Sequence, residues 1–439
     1  MNPWLGMALV LGALGLLMGT FRLLQGRLSP ELSRKGVHVG MGLVCLTFPW
    51  LFQESWPVVI LALLAVLSLA AVRFLPFLRQ HLGGVLGGVE RKSLGEFYFP
   101  MAVAAVFVFS LGNPLFFVIP VLTLTVADSV GALIGLRYGF ARYQTDEGLK
   151  SAEGSVAFFT AAFLSCHIPL LLFSNTGRAE TLLISLTAGF VVMLLEAIAW
   201  RGQDNLIIPL AMFVLLMFYS GLGVADLLWR FGVIVALVIF VLVWRKKTTL
   251  SDSAVLAGAL SGYAVGALGG WMWLLPPLLL FVIYIGLPKF PAENRPVQNL
   301  HAVTRVMAGG FVWLIAAEMT GRKEFWIPYF LCMAAHTGNI ISARLRVVRP
   351  EFSKTKVVLT AVLASVLGFG ILGLAAVFGG MIPPGVFLLL PLAVLLSVLI
   401  FFPSWPASDA DSHRVRIWLS ETGIAFVAST LGLLMIPAP

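Results

Sequence analysis

Ionisable and polar residues in the first half of this sequence occur in five short groups, each inside or beside an apolar segment. The groups are Arg34, Lys35 and His38; Arg91, Lys92, Ser93 and Glu96; Asp128 and Ser129; Lys150, Ser151, Glu153, Gly154 and Ser155; and Glu196, Asp204 and Asn205. Ionisable side chains are costly to place within such segments, so each group is a functional hypothesis.

The mixture of charges in these groups suits chemistry on phosphates. Basic residues at helix starts, such as Arg34 and Lys35, hold phosphate oxygens with help from free backbone amides and the helix dipole. The carboxylates of Asp128, Glu153 and Asp204 are hard oxygen ligands that suit Mg²⁺ bridging phosphates. Phosphoryl transfer needs mainly positioning, cations and a group that orients the attacking hydroxyl. A cytoplasmic nucleotide acting on a membrane-embedded alcohol would fit this layout.

Plainer interpretations of the same residues remain open at this point. The basic residues can serve only to orient the protein in a membrane, because positive charge is retained on the cytoplasmic side. Asp128 can be a satisfied polar group in a helix contact, and His38 a helix-end residue. The cysteines Cys45, Cys166 and Cys332 lie in apolar segments without ligand or disulfide spacing, which predicts small buried hydrophobes.

The elements that position these groups are predicted to be membrane-spanning helices. Of the 439 residues, 59% are hydrophobic and 11% are charged, whereas about 25% are charged in ordinary soluble domains. The apolar segments approach the roughly 20 residues that cross a bilayer, and only helices satisfy their own backbone there. The alternation typical of a transmembrane β-barrel is absent from the sequence. We predict an all-α polytopic bundle with about nine spans in the first half and about seven in the second.

The predicted spans can be stated by residue number. In the first half they lie near 3–21, 38–52, 57–72, 97–111, 114–136, 154–173, 182–200, 205–220 and 227–244. In the second half they lie near 253–269, 272–288, 302–319, 326–342, 357–379, 385–402 and 417–437. The segment from Asn2 to Thr20 has no basic leader, so we expect a retained first span. The basic cluster Arg245-Lys246-Lys247 predicts a boundary between domains at 1–247 and 248–439.

Charge alternates between successive loops of the first half. Loops holding several Arg and Lys residues alternate with loops holding almost none, which predicts an outside N-terminus and places all five polar groups on the cytoplasmic side. We therefore attribute the net charge of +9 to the orientation of the protein in the membrane, and nucleic acid is not expected as a partner. We expect an integral protein of a bacterial inner membrane.

Four segments of the first half resemble the CTP-dependent polyprenol kinases, the family that includes phytol kinase and dolichol kinase. They are Ser33-Arg34-Lys35-Gly36-Val37-His38; Arg91-Lys92-Ser93-Leu94-Gly95 with Tyr98-Phe99-Pro100; Ala127-Asp128-Ser129-Val130-Gly131-Ala132 through Gly135 and Gly139 to Lys150-Ser151-Ala152-Glu153-Gly154-Ser155; and Glu196 with Asp204-Asn205-Leu206 and Pro209. The segments follow the family's order over roughly residues 1–245.

The resemblance implies phosphoryl transfer from CTP, or a related nucleotide, to a prenyl alcohol such as phytol, geranylgeraniol or a polyprenol. It implies Mg²⁺ as cofactor, with Asp128, Glu153 and Asp204 as the metal candidates. The implied catalytic residues are Asp128, Lys150, Glu153, Glu196 and Asp204, with Glu196 orienting the alcohol. The implied nucleotide- or phosphate-binding residues are Arg34, Lys35, His38, Arg91, Lys92, Ser151, Gly154 and Asn205.

The second half is weakly similar to the membrane family that contains phytyl-phosphate kinase. The similarity consists of the glycine-rich segment from Ser253 to Gly270 and of Arg305-Val306. That family has an acidic residue in a later span, where this sequence reads Ala335-His336-Thr337-Gly338-Asn339. We therefore expect a degenerate domain with a structural or substrate-presenting role.

Two other functions fit parts of the sequence. A cytidylyltransferase that makes a CDP-lipid also needs CTP, Mg²⁺ and a membrane acceptor, and it would release pyrophosphate where a kinase releases CDP. A transporter is suggested by the number of spans. Transporters usually place ionisable residues near the membrane midplane in matched repeats, whereas this sequence groups them at one interface. A Walker-type phosphate loop is absent from the sequence.

Overall fold

A computed structural model describes residues 2–24, 26–74, 94–110, 112–145, 148–244, 248–289, 298–380, 382–402 and 415–436. Within these ranges the side chains of residues 241, 244 and 415–419 are not described. The chain divides into two compact units, Met1–Ile234 and Val235–Pro439. The predicted domain boundary at residues 245–247 lies outside the described residues.

The first unit consists of helices and one small hairpin. Its elements are α1 (Pro3–Leu23), α2 (Pro30–Leu46), α3 (Phe48–Leu51), α4 (Trp56–Phe74), α5 (Gly95–Phe109), α6 (Pro114–Tyr138), β1 (Arg142–Thr145), β2 (Gly148–Ser151), α7 (Ala152–Phe173), α8 (Arg178–Ile198), α9 (Asp204–Tyr219) and α10 (Val224–Trp244), the last of which continues into the second unit. α6 is central, because α2, α5, α7 and α9 all pack against it.

Within its described residues, the second unit consists of helices joined by short connections, with one isolated β-bridge between Leu250 and Gln298. Its elements are α11 (Asp252–Gly269), α12 (Trp271–Gly286), α13 (Leu300–Thr320), a 3₁₀ turn (Lys323–Phe325), α14 (Trp326–Val348), α15 (Lys354–Phe378), α16 (Val386–Phe401), α17 (Val415–Ser429) and a second 3₁₀ turn (Thr430–Met435). α14 forms the core, since α12, α13, α15, α16 and α17 surround it and almost every residue from Trp326 to Leu345 is buried.

The architecture confirms the predicted all-α polytopic membrane bundle. Seven of the described helices are long and apolar enough to cross a membrane: α1, α4, α6, α7, α8, α13 and α15. Shorter apolar helices accompany them, among them α5, α9, α12 and α16. The counts of about nine and about seven spans stay predictions. Large apolar side chains such as Leu16 and Phe378 are exposed, as expected for surfaces that face lipid.

Local sequence signals explain where the helices around the site begin. α2 follows Ser29, whose hydroxyl accepts a hydrogen bond from the Leu32 amide, and Pro30 occupies its first position. α6 begins in the same way after Asn113, with Pro114 at its start. Ser151 caps α7 through a hydrogen bond from the Gly154 amide. A polar cap with proline at the first helical position satisfies amides that have no partner within the helix.

Small residues bring α6 and α7 unusually close together. A Cβ atom added at Gly154 would lie 3.0 Å from the Gly131 carbonyl oxygen and 3.0 Å from the Gly135 Cα atom. A Cβ atom added at Gly139 would lie 2.7 Å from the Ser151 hydroxyl oxygen. Only glycine permits such an approach between backbones, which is the usual device for helix packing in membranes. This crossing fixes the hairpin that joins the two helices.

Candidate functional site

Lys35 and Asp128 form a buried ion pair between α2 and α6. The Lys35 ammonium donates to both Asp128 carboxylate oxygens, at 2.7 and 2.6 Å, and to the Asp128 carbonyl oxygen at 3.3 Å. The side chains are only 4% and 12% exposed. Two charges in so little solvent must neutralise each other, because either one alone would be costly to bury.

His38 lies one turn further along α2 and is a second neighbour of the Asp128 carboxylate. Its Nε2 atom is 3.6 Å from an Asp128 carboxylate oxygen and 3.4 Å from the Leu124 carbonyl oxygen. The Phe99 ring meets the imidazole edge-on, with ring centroids 5.2 Å apart. The imidazole therefore limits how the Asp128 carboxylate can turn.

A second ion pair joins the hairpin to the end of α8. Lys150, on β2, donates from its ammonium to the Glu196 carboxylate at 2.7 Å and also to the Glu196 carbonyl oxygen. Burial by itself would lower the pKa of Lys150, but the neighbouring Glu196 carboxylate outweighs it and raises that pKa above its usual value. Lys150 is therefore a fixed positive charge at physiological pH.

Asp204, the first residue of α9, connects the two ion pairs. Its carboxylate interacts electrostatically with members of both pairs, namely Asp128, Lys35, Lys150 and Glu196. Its Oδ1 atom is buried and has no hydrogen-bond partner among the residues that the structure describes. A buried carboxylate oxygen in this condition is rare in proteins and is the kind of atom that contacts a ligand or an ion.

The turn before Asp204 is strained and firmly anchored. Arg201 has a φ of 53°, and Gly202 follows with a φ of 81°. The Arg201 carbonyl oxygen accepts from the Leu94 amide at 3.0 Å, and the Asn205 side-chain amide donates to the Gly95 carbonyl oxygen at 3.0 Å. A non-glycine residue in this conformation costs energy and is often found at functional sites. The turn holds the start of α9 against the start of α5.

Glu153 occupies the first turn of α7 and faces the base of the hairpin. Its carboxylate accepts hydrogen bonds from the Phe140 amide at 3.0 Å and from the Ala141 amide at 3.0 and 3.2 Å. The neighbouring residues Ser151 and Gly154 form the α7 cap described above. Ser155 is held by the Tyr143 hydroxyl at 2.8 Å.

Several predicted site residues lie at the edge of this cluster or beyond the described residues. Arg34 pairs with Glu31 on the outer face of α2, although it also interacts electrostatically with Asp128 and Asp204. Glu96 lies 3.5 Å from Arg73. Arg91, Lys92 and Ser93 lie outside the described residues. Their predicted role in phosphate binding stays a prediction.

The carboxylates of this cluster suit Mg²⁺ only if substrate phosphates and waters supply most of its ligands. Within the described ranges, no group of three or more His, Cys, Asp or Glu side chains is placed to hold a metal ion. Mg²⁺ usually keeps several waters and takes one or two carboxylates together with substrate phosphates. Of the predicted ligands in this cluster, Asp204 has a buried Oδ1 atom without a hydrogen-bond partner among the described residues, whereas both Asp128 oxygens accept from Lys35.

A separate ionic cluster lies inside the second unit and was missed by sequence reasoning. The Arg305 guanidinium on α13 lies 2.9 Å from the Glu421 carboxylate on α17, and His336 Nδ1 on α14 lies 3.9 Å from that carboxylate. The Thr422 hydroxyl donates to the Arg305 carbonyl oxygen at 2.8 Å. α14 itself lacks an acidic residue here, but Glu421 brings one from another helix. The sequence signal for this cluster is Glu421, an acidic residue within an apolar segment.

A comparison with known proteins identifies a relative of this chain. A phytol kinase from Synechocystis sp. is 33% identical over 215 residues, which cover 47% of this chain and 88% of the relative. The chain belongs to the phytol kinase family. No protein-family model matches it. No solved structure matches it significantly.

The ionic cluster of the first unit brings together residues that the sequence resemblance predicts for the site. The resemblance inferred from sequence is thereby confirmed over a segment of the chain. Four of the five groups of polar residues supply members of one cluster: Lys35 and His38 on α2, Asp128 on α6, Lys150 on β2, and Glu196 on α8 with Asp204 on α9. In the remaining group the described residue Glu96 lies beside Arg73.

Proposed function

We propose that this protein is an integral-membrane kinase that transfers a phosphoryl group from CTP, or a related nucleotide, to a prenyl alcohol. The observation that carries the proposal is the cluster in which Asp204 connects the Lys35–Asp128 and Lys150–Glu196 pairs. The similarity to a phytol kinase supports the same class of reaction. Phytol, geranylgeraniol and longer polyprenols are the candidate acceptors.

The cluster has the parts that phosphoryl transfer requires. The Lys35 and Lys150 ammonium groups are two cations that interact electrostatically with Asp204, and each is held in position by its own carboxylate. Phosphate oxygens from a nucleotide would bind these ammonium groups in place of, or alongside, the carboxylates. Charges that are already positioned stabilise the transferring group without reorganisation, which is the main source of catalysis in this reaction.

Mg²⁺ would be held by Asp128 and Asp204, together with the nucleotide phosphates. When bound, it would supply positive charge to the phosphate oxygens. The buried, unpartnered Oδ1 atom of Asp204 is the feature of the described residues that supports this assignment. Glu153, the third residue predicted as a metal ligand, directs its carboxylate to backbone amides and receives a different role below.

The alcohol would enter beside Glu196, near the end of α8. The Glu196 carboxylate would accept a hydrogen bond from the hydroxyl and hold its oxygen in line with the terminal phosphate. The bond from this oxygen to phosphorus forms as the bond to the bridging oxygen of the nucleotide breaks. The hydroxyl proton passes to the carboxylate, and the nucleoside diphosphate leaves. Lys150, which donates to Glu196, would stabilise the charge on the transferred group.

The direct test is phosphoryl transfer in membranes that contain the full chain. They would receive γ-labelled CTP, UTP or ATP, magnesium, and phytol, geranylgeraniol or a polyprenol. Labelled prenyl monophosphate with release of the nucleoside diphosphate is the expected result. Membranes containing the Asp204→Asn variant, at matched expression, provide the control for other kinases.

The other outcomes of this assay separate the competing functions. Release of pyrophosphate with a CDP-lipid product would replace the kinase with a cytidylyltransferase. No labelled lipid with any donor, from folded protein, would favour a transporter. A labelled diphosphate would indicate a second phosphorylation and would make the second unit an enzyme. Accessibility of engineered single cysteines beside Lys150 would test whether the site faces the cytoplasm of a bacterial inner membrane.

A further inference from the structure

We propose that Glu153 is a positioning residue, which clamps the base of the hairpin and thereby fixes the Lys150 ammonium against Glu196. This inference rests on the proposed function, because it assigns the means by which the kinase site holds one of its cations. It gives Glu153 a role through Lys150 in place of contact with a metal ion.

The clamp consists of three hydrogen bonds to two successive amides. Both carboxylate oxygens of Glu153 accept from backbone N–H groups: Oε2 from Phe140 at 3.0 Å and from Ala141 at 3.2 Å, and Oε1 from Ala141 at 3.0 Å. These amides follow Gly139, the residue at which α6 ends, so they lie beyond the regular hydrogen bonds of that helix. A carboxylate is the strongest acceptor among side chains for such donors.

The hairpin transmits this clamp directly to Lys150. The Ala152 amide donates to the Ala141 carbonyl oxygen at 2.9 Å, so Ala141 is tied on both its N–H and C=O sides. The next pairs of the ladder are Arg142 with Ser151 and Tyr143 with Lys150. Lys150 is therefore only two cross-strand pairs away from the clamped residue. A shift in the register of this ladder would turn the Lys150 side chain away from Glu196.

Other contacts hold the hairpin on its α7 side, so its α6 side depends on the Glu153 clamp. On the α7 side, the Ser151 cap and the glycine crossing fix the end of β2, and the Tyr143 hydroxyl contacts Ser155. On the α6 side, the segment at Phe140 and Ala141 leaves the helix with Phe140 92% exposed. A two-stranded hairpin alone is marginally stable, so its first residues depend on Glu153.

The test uses Glu153→Gln in the full chain. We expect hydrogen exchange at the Phe140 and Ala141 amides to become about tenfold faster, because an amide is a weaker acceptor than a carboxylate. Acetylation of Lys150 should become faster as its ammonium leaves Glu196. Transfer should fall about tenfold in kcat, with the Mg²⁺ concentration for half-maximal rate unchanged. Glu180→Gln, in the first turn of α8, is the matched control and should change none of these quantities.

A double variant separates action through Lys150 from direct contact with the reaction. If Glu153 acts through Lys150, adding Glu153→Gln to a Lys150→Gln chain should cause no further loss of residual transfer. A further tenfold loss, or a shifted Mg²⁺ dependence, would overturn the inference and restore Glu153 as a metal ligand. Unchanged exchange and acetylation in Glu153→Gln would also overturn it. If Lys150→Gln alone leaves transfer at the wild-type rate, the proposed site itself is wrong, which is a distinct failure.

Discussion

The Lys35 ammonium contacts both carboxylate oxygens of Asp128, a residue 93 positions later in the chain, at 2.7 and 2.6 Å. This pair connects α2 to the central helix α6 inside an apolar unit. The stability of the first unit therefore depends on charge balance as well as on packing.

Removing one partner of this pair should strongly destabilise the protein. In Lys35→Met the Asp128 carboxylate would be left buried without its cation, and we expect a loss of about 3–5 kcal/mol in the free energy of unfolding. The double variant Lys35→Met/Asp128→Asn should recover most of that loss. Thermal and denaturant unfolding in detergent would measure both. Arg34→Met is the control, because the Arg34–Glu31 pair is exposed and should contribute less than about 1 kcal/mol. Equal effects of the two single variants would contradict this prediction.

Asp204→Asn should abolish most phosphoryl transfer while the protein remains folded. The substitution removes the charge of a buried carboxylate that has an unpartnered oxygen, and we expect kcat to fall by about 10²-fold or more. Initial rates over a range of Mg²⁺ and nucleotide concentrations would show which ligand is lost. Asp226→Asn, at an exposed position in α10, should retain wild-type rates. Near-wild-type kcat in Asp204→Asn would remove this residue from the site.

The contribution of Lys150 should not vary with pH in the physiological range. The raised pKa keeps the ammonium protonated well above neutrality, and its charge is lost only when the pH rises through that pKa. The ratio of wild-type to Lys150→Gln rates should therefore stay constant between about pH 6 and pH 9. Parallel rate profiles of the two proteins provide the measurement. A ratio that falls towards one across this range would mean that Lys150 titrates there.

Gly154→Ala should disturb the crossing of α6 and α7. The new methyl group would meet backbone atoms of Gly131 and Gly135 at 3.0 Å, and backbone yields only if the helices move apart. We expect a destabilisation of about 1–3 kcal/mol, together with reduced transfer because the hairpin moves with α7. The unfolding midpoint in detergent and the transfer rate would be measured together. Gly12→Ala is the control, since its Cβ atom would meet nothing within 4 Å. A fully stable Gly154→Ala protein would show that this crossing is looser than described.

Glu421→Gln should destabilise the second unit through the loss of a buried counter-charge. Arg305 and Glu421 are 10% and 2% exposed, so the guanidinium would be left in an apolar interior, with an expected loss of about 3–5 kcal/mol. Glu318→Gln, at an exposed position of α13, should have little effect. Calorimetry of both variants, compared with wild type, would test the difference. A Glu421→Gln protein as stable as the control would indicate that Arg305 has another route to water.

The boundaries of several helices could be predicted from sequence because local signals set them. The span predicted near 114–136 corresponds to α6 at Pro114–Tyr138, with Asn113 and Pro114 marking its start. The span predicted near 154–173 corresponds to α7, whose cap Ser151 precedes it. The hairpin was not predicted, since two strands of four residues carry too little periodicity to be recognised.

The partners within the site could not be predicted in the same way. Sequence reasoning selected Lys35, Asp128, Lys150, Glu196 and Asp204 by charge and by their place at one interface. Which lysine meets which carboxylate depends on how helices that are distant in sequence pack, and no local pattern records that. The Arg305–Glu421 pair could not be predicted for the same reason, because its acidic residue lies on a different helix from His336.

The Arg305–Glu421 pair also has a consequence for how the protein is made. Thr422, beside Glu421, is synthesised 117 positions after Arg305. At a translation rate of about 5–20 residues per second, roughly 6–23 seconds pass between the synthesis of Arg305 and that of its counter-charge. Arg305 is the sixth residue of α13, about 8 Å from the helix start, a distance over which a long arginine side chain can extend to polar surroundings. Moving the arginine two turns deeper should therefore impair insertion during translation, and it would also carry the guanidinium about 11 Å from its position beside Glu421.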